Sequence, residues 1–124
     1  MNKEKTDKLL NDFPLLYLNK SIKKSLMCFG FECGDGWYNI IYELSKKIND
    51  IIEKMPEEDR PYVFQVKEKF GTLRFYMSSE TKEMSELINE YEKRSSFICE
   101  TCGSYGELRK YGWLRTLCNK CNKK

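Results

Sequence analysis

The pattern C-x2-C-x15-C-x2-C, running from Cys99 to Cys121, constrains this chain more than any other stretch of it. Each C-x-x-C turn aims two sulfurs at one point, and two such turns at this separation suit a tetrahedral ion, above all Zn²⁺. The intervening segment, Gly103 to Leu117, predicts a hairpin that carries the second pair back to the first. Gly103, Gly106 and Gly112 fall where tight turns ask for positive φ. Cys99, Cys102, Cys118 and Cys121 are therefore the candidate ligands of one structural zinc, because four sulfurs fill the shell and leave no place for water or substrate. Two disulfides, or four unrelated buried thiols, are the competing readings.

A segment this short cannot bury a core of its own, so the preceding residues matter. The chain has 124 residues, 40% of them hydrophobic and 14% aromatic, which is enough for one packed body. The expectation is an α+β body over residues 1–96, with helices around a β-hairpin or small antiparallel sheet. A zinc-ribbon or treble-clef-like module over 97–124 follows, with no Gly/Ser/Pro linker at the junction, so it should pack on the body. The apolar runs are too short to span a bilayer. The charged start, Met1-Asn2-Lys3-Glu4-Lys5, lacks the apolar run of a signal peptide. Knuckle-like cysteines without an export signal predict a reducing cytoplasm.

The formal charge is +3. Residues 97–124 hold six basic and two acidic side chains, and four thiolates on one Zn²⁺ take away two of the resulting positive charges. A weakly basic module on a neutral body predicts neither strong DNA binding nor mimicry of DNA.

Residues 3–11 read as a short helix ended by Phe13-Pro14. Residues 19–28 suggest another helical turn carrying Ile22, Leu26 and Met27. A glycine-punctuated loop, Phe29 to Gly36, then feeds the clearest helix. Trp37, Ile40, Ile41, Leu44, Ile48, Ile51, Ile52 and Met55 form one apolar stripe at helical period, with Asp35 as N-cap and Pro56 as stop. The glycine loop lacks the Gly-Lys-Ser/Thr ending of a phosphate-binding loop. Pro61 to Ser78 reads as a β-hairpin turning at Gly71. Its Lys67, Lys69 and Arg74 alternate with aromatics, which suits either a solvated sheet face or a nucleic-acid-binding one. A second amphipathic helix, about residues 80–95 with Ser79 as cap, leads straight to the first knuckle.

The chain contains no histidine. That removes Ser-His-Asp and Cys-His catalysis, and it removes the histidine on which zinc-knuckle nucleases of the endonuclease VII or HNH kind rely. Cys28 and Cys33 have the wrong spacing for a knuckle; they read as buried or half-buried thiols, or as two ligands of a second site with Glu32 or Asp35. Glu57, Glu58 and Asp59 read as a solvated connection rather than an acid/base pair. The expectation is a protein that is not an enzyme.

Three segments carry a family likeness: Cys28-Phe-Gly-Phe-Glu-Cys-Gly-Asp-Gly-Trp37, Gln65-Val-Lys-Glu-Lys-Phe-Gly-Thr-Leu-Arg-Phe-Tyr76, and the tail with Cys99-Glu-Thr-Cys-Gly, Gly106-Glu-Leu-Arg109, Gly112-Trp113 and Thr116-Leu-Cys118. Together, over about residues 13–121, they resemble a widespread family of small, mostly uncharacterised proteins of tailed phages and prophages. In many of those the fourth metal position looks like histidine, where this chain has Cys121; either residue completes a tetrahedral site. The chain also resembles the zinc-containing anti-CRISPR proteins of phages whose hosts carry type II-A systems, which act on Cas9. The resemblance implies an inhibitor acting in the host cytoplasm on a bacterial protein, Cas9 or its guide RNA complex. Aromatic and arginine anchors are the residue types that dominate protein interfaces. On that ground the contact residues expected are Tyr105, Arg109, Tyr111, Trp113 and Arg115 on the module and Lys67, Lys69 and Arg74 on the hairpin. The alternatives are a nucleic-acid-binding module for phage transcription or packaging, with Arg109, Lys110, Arg115 and Lys120 on phosphates, and a structural role in the virion.

Overall fold

The computed structural model describes residues 1–18 and 25–123. Helix α1 spans Lys3–Asp12 and is capped by Asn2, whose side chain accepts from the Lys5 N–H at 2.8 Å. Phe13 ends it, as the following proline requires. The helical turn expected over 19–28 lies mostly outside the described residues; Met27–Phe29, at its far end, forms a 3-10 turn.

Inside the glycine loop lies a strand too short to show a period-two pattern, β1 at Phe31–Glu32. Strand β2 covers Val63–Lys69 and β3 covers Thr72–Met77. They form a three-stranded sheet in the order β1-β2-β3. Strand β1 runs parallel to β2, pairing Phe31 with Val66, so the sheet is mixed rather than purely antiparallel. Between β2 and β3 the register Lys69↔Thr72 leaves a two-residue turn, Phe70-Gly71.

Helix α2 covers Tyr38–Glu53 behind a 3-10 turn at Asp35–Trp37. Its stripe is buried at Ile40, Ile41, Leu44, Ile48 and Ile52. Asp35 does not cap it: its carboxylate accepts from the Asn2 N–H at 2.7 Å and from the Asn2 side-chain amide at 3.1 Å. Asn2 at the start of α1 thus engages both carboxylate oxygens. At the other end Arg60 satisfies orphan carbonyls, donating from Nε to Ile52 O at 2.8 Å and Met55 O at 3.1 Å.

Helix α3 covers Lys82–Ser95 and is capped by Thr81 rather than Ser79, accepting from the Met84 N–H at 3.2 Å. It packs on β3 and α2, and two of its side chains close the free edge of β3. Ser95 Oγ accepts from the Leu73 N–H and Glu92 Oε2 from the Phe75 N–H, each at 2.9 Å. An edge strand whose outward amides are already paired offers no template to another strand. The core lies between the inner face of the sheet (Val63, Val66, Leu73, Phe75, Met77) and the two helices, with Tyr17, Trp37, Met84, Ile88 and Tyr91 filling it. Each such side chain contributes about 1.5–3 kcal/mol through burial.

Beyond α3, strands β4 (Glu107–Arg109) and β5 (Arg115–Leu117) pair antiparallel, giving the hairpin expected between the cysteine pairs. Among the described residues no helix is long and apolar enough to cross a membrane.

Candidate metal centre and the face beside it

Both C-x-x-C turns close in the same way. The Gly103 N–H donates to Cys99 O at 2.9 Å, and the Asn122 N–H donates to Cys118 O at 3.0 Å. This bond curls each turn so that its two sulfurs face inward, and β4–β5 brings the curls together. All four Sγ atoms lie within 4.8 Å of one another, and Cys102 and Cys118 are 3.6 Å apart. A tetrahedral ion with Zn–S bonds of about 2.3 Å needs sulfurs about 3.8 Å apart. A disulfide would hold them at about 2.05 Å. All six cysteines are free thiols, so the spacing fits one ion and neither two bridges nor scattered thiols.

The electrostatics fit as well. Burial works against the Cys99 thiolate, but the backbone N–H groups of Cys118, Cys102 and Thr101 outweigh it and draw the thiol down. The Ser104 hydroxyl and N–H bring Cys102 down to about 6. Cys121 moves the other way, to about 12, chiefly through its contact with Cys118. Sulfurs this close cannot all ionise without a cation among them, and a divalent ion supplies that charge.

The first knuckle sits in a seat made by the glycine loop. The Gly36 N–H donates to Glu100 O at 2.7 Å, the Gly34 N–H to the Glu100 carboxylate at 2.9 Å, and Trp37 Nε1 to Ile98 O at 2.8 Å. A Cβ on Gly36 would meet Cys99 O at 2.0 Å. The Gly34 and Gly36 amides are thus occupied by the knuckle and are not available to a phosphate. The second half of the module is held by the hairpin turn: Thr116, fully buried, donates from Oγ1 to Gly71 O at 2.6 Å. Gly103 and Gly112 do adopt positive φ, 87° and 66°. Gly106 does not; it is needed for close approach, since a Cβ there would lie 2.9 Å from Cys99 N.

Where the two hairpin tips meet, they enclose a cleft of about 380 Å³ lined by Lys67, Glu68, Lys69, Phe70, Gly112, Trp113 and Leu114. Trp113 and Phe70 are 79% and 66% exposed. Phe70 also holds φ at 55°, a left-handed conformation that costs a non-glycine residue about 1 kcal/mol or more. Lys67 stands between two cross-strand partners, Arg74 on β3 and Glu32 on β1. Among the described residues, none of Lys67, Lys69, Arg74 and Lys110 forms an ion pair.

Of the contact residues expected from the sequence, Lys67, Lys69 and Trp113 line this cleft and Arg74 stands beside Lys67 on the same sheet face. Tyr111 and Arg115 are exposed nearby on the β4–β5 hairpin. Tyr105 is exposed but lies elsewhere, bridged to Ile98. Arg109 is turned inward, donating from Nε to Leu117 O at 3.1 Å and from a terminal nitrogen to Asn119 Oδ1 at 2.8 Å, so it straps the hairpin. Sequence reasoning missed Phe70 as a surface residue, although an aromatic directly before a turn glycine is a signal for it. It also missed Glu100 and Ser104, which no local pattern marks. Cys28 is exposed and Cys33 buried, and among the described residues neither joins a metal-binding group.

No known family, curated protein or solved structure matches this chain.

Proposed function

We propose that the chain is a non-enzymatic, phage-encoded zinc protein that binds and obstructs a protein machine of its bacterial host, most concretely Cas9. One observation carries this reading. The hairpin that closes the four-sulfur cluster is the same element that raises Trp113, Tyr111 and Arg115 beside the exposed Phe70. A shell closed by four sulfurs supplies rigidity and no reactive position, so the ion serves the display of that face. In this reading Zn²⁺ is held by Cys99, Cys102, Cys118 and Cys121, in a module of zinc-ribbon or treble-clef type. The phage setting, the cytoplasm of the infected cell and Cas9 as target rest on the likeness of the three sequence segments given above.

Two measurements test it. Elemental analysis of the purified protein should give one zinc per chain. Addition of the zinc-loaded protein in molar excess should suppress DNA cleavage by Cas9, and the two should co-elute on gel filtration. Undiminished cleavage without a complex would remove Cas9 as the target. A second reading, a nucleic-acid-binding accessory of phage transcription or packaging, draws support from Lys67 and Lys69 beside the exposed Phe70 and Trp113. It requires duplex binding at low salt that weakens steeply as salt rises.

A further inference from the structure

We infer that the cleft between the two hairpin tips takes an unpaired nucleic-acid strand, with a base stacked on Trp113 and Phe70 and the adjoining phosphates on Lys67 and Lys69. The inference deepens the reading above, because a machine built around RNA offers such strands. It rests on the same exposed face.

The first ground is the display of the rings. Trp113 is the most exposed large apolar side chain among the described residues, and Phe70 is held outward from a turn that would be more relaxed with glycine. Ring faces left open on rigid turns are the stacking platforms of single-strand binders, and every base offers a π-face to them. The second ground is the rim. Lys67 and Lys69 line the cleft, and the Lys69 ammonium lies 5.6 Å from the Phe70 ring centre. Away from the cleft the charges are balanced: Glu32 on β1 is in register with Lys67, and Arg74 acts on Glu92. Lysine is depleted in protein interfaces, whereas cations beside aromatics are what a phosphate backbone requires. One carboxylate also lies in the cleft. Glu68 is tied to the turn, accepting from the Gly71 N–H at 2.7 Å, so it holds the tip in shape.

The test uses the zinc-loaded full chain and a fluorescein-labelled RNA of mixed sequence, about 12 nucleotides long, in about 50 mM salt. A duplex of the same length and a glutamate-rich peptide serve as comparators. Trp37 is fully buried, so intrinsic fluorescence quenching reports on Trp113. The expected result is quenching by the single strand, affinity over the duplex of about tenfold or more, and weakening with salt. Trp113→Ala should lower affinity roughly tenfold or more, and Lys67→Glu with Lys69→Glu should flatten the salt dependence. Phe70→Gly separates binding from folding: it relaxes the turn, so melting should stay level or rise while affinity falls. No binding of the single strand at low salt would overturn the inference. So would binding indifferent to both Trp113→Ala and Phe70→Gly, or quenching by the acidic peptide alone, which would make the cleft a protein site. Cas9 inhibition with no oligonucleotide binding would sink this inference and spare the proposed function. The reverse outcome would spare the inference alone.

Discussion

A methyl group at position 36 would sit 2.0 Å from Cys99 O and 2.6 Å from Gly103 N, both backbone atoms that cannot swing aside. Gly36→Ala should therefore destabilise the protein by about 3 kcal/mol, read from denaturant melts. Gly112→Ala has open space and only a φ of 66° against it, and should cost about 1 kcal/mol. Cysteine chemistry divides in a similar way. Cys33 is buried and its thiol is pushed up to about 12, chiefly by that burial, while Cys28 is exposed. With zinc bound, iodoacetamide followed by mass spectrometry should find Cys28 as the one fast-reacting thiol. Glu92 supplies a pH signature. Desolvation lifts its carboxyl above the ordinary value, although the Phe75 N–H and Arg74 pull the other way. An acid whose pKa is raised by folding contributes stability that is whole below its unfolded pKa and drains as pH rises through the folded one. Glu92→Gln keeps an acceptor for Phe75 and loses the charge. It should melt slightly above the parent at neutral pH, with the difference closing below about pH 4.

At the level of elements, the long apolar stripe of α2, the β2–β3 hairpin, α3 and the cysteine curls were all readable from the sequence, because each writes its period or spacing into consecutive residues. What was hidden depends on partners far along the chain. Strand β1 is two residues long and exists because β2 lies beside it. Asp35 looked like a cap until Asn2 claimed its carboxylate. Gly34 and Gly36 read as a loop, whereas the knuckle that needs their missing side chains lies more than sixty residues on. The clamp between the two hairpins is of the same kind. Replacing Thr116 by valine removes the donor to Gly71 O in a buried setting and should cost about 1–3 kcal/mol in a thermal or denaturant melt. Loss of zinc retention should accompany it, since β5 leads directly into Cys118.

For the molecule as a whole, the module is locked to the body at Gly34, Gly36, Trp37 and Gly71. Chelation should then do more than loosen residues 97–124. We expect the entire melting transition to fall by roughly 10 °C or more after verified zinc removal, with Trp37 emission shifting to the red as its contact with Ile98 opens. Cys102→Ser or Cys118→Ser should reproduce the effect. An unchanged melt in metal-free protein would show that the body stands without its staple. The seating of the knuckle on the glycine loop also sets an order of events on the ribosome. The interior around Trp37 stays unfinished until Ile98 and Glu100 have left the exit tunnel and an ion has been captured. On the zinc occupancy proposed above, a cell starved of that metal should accumulate half-built chains, open to proteases.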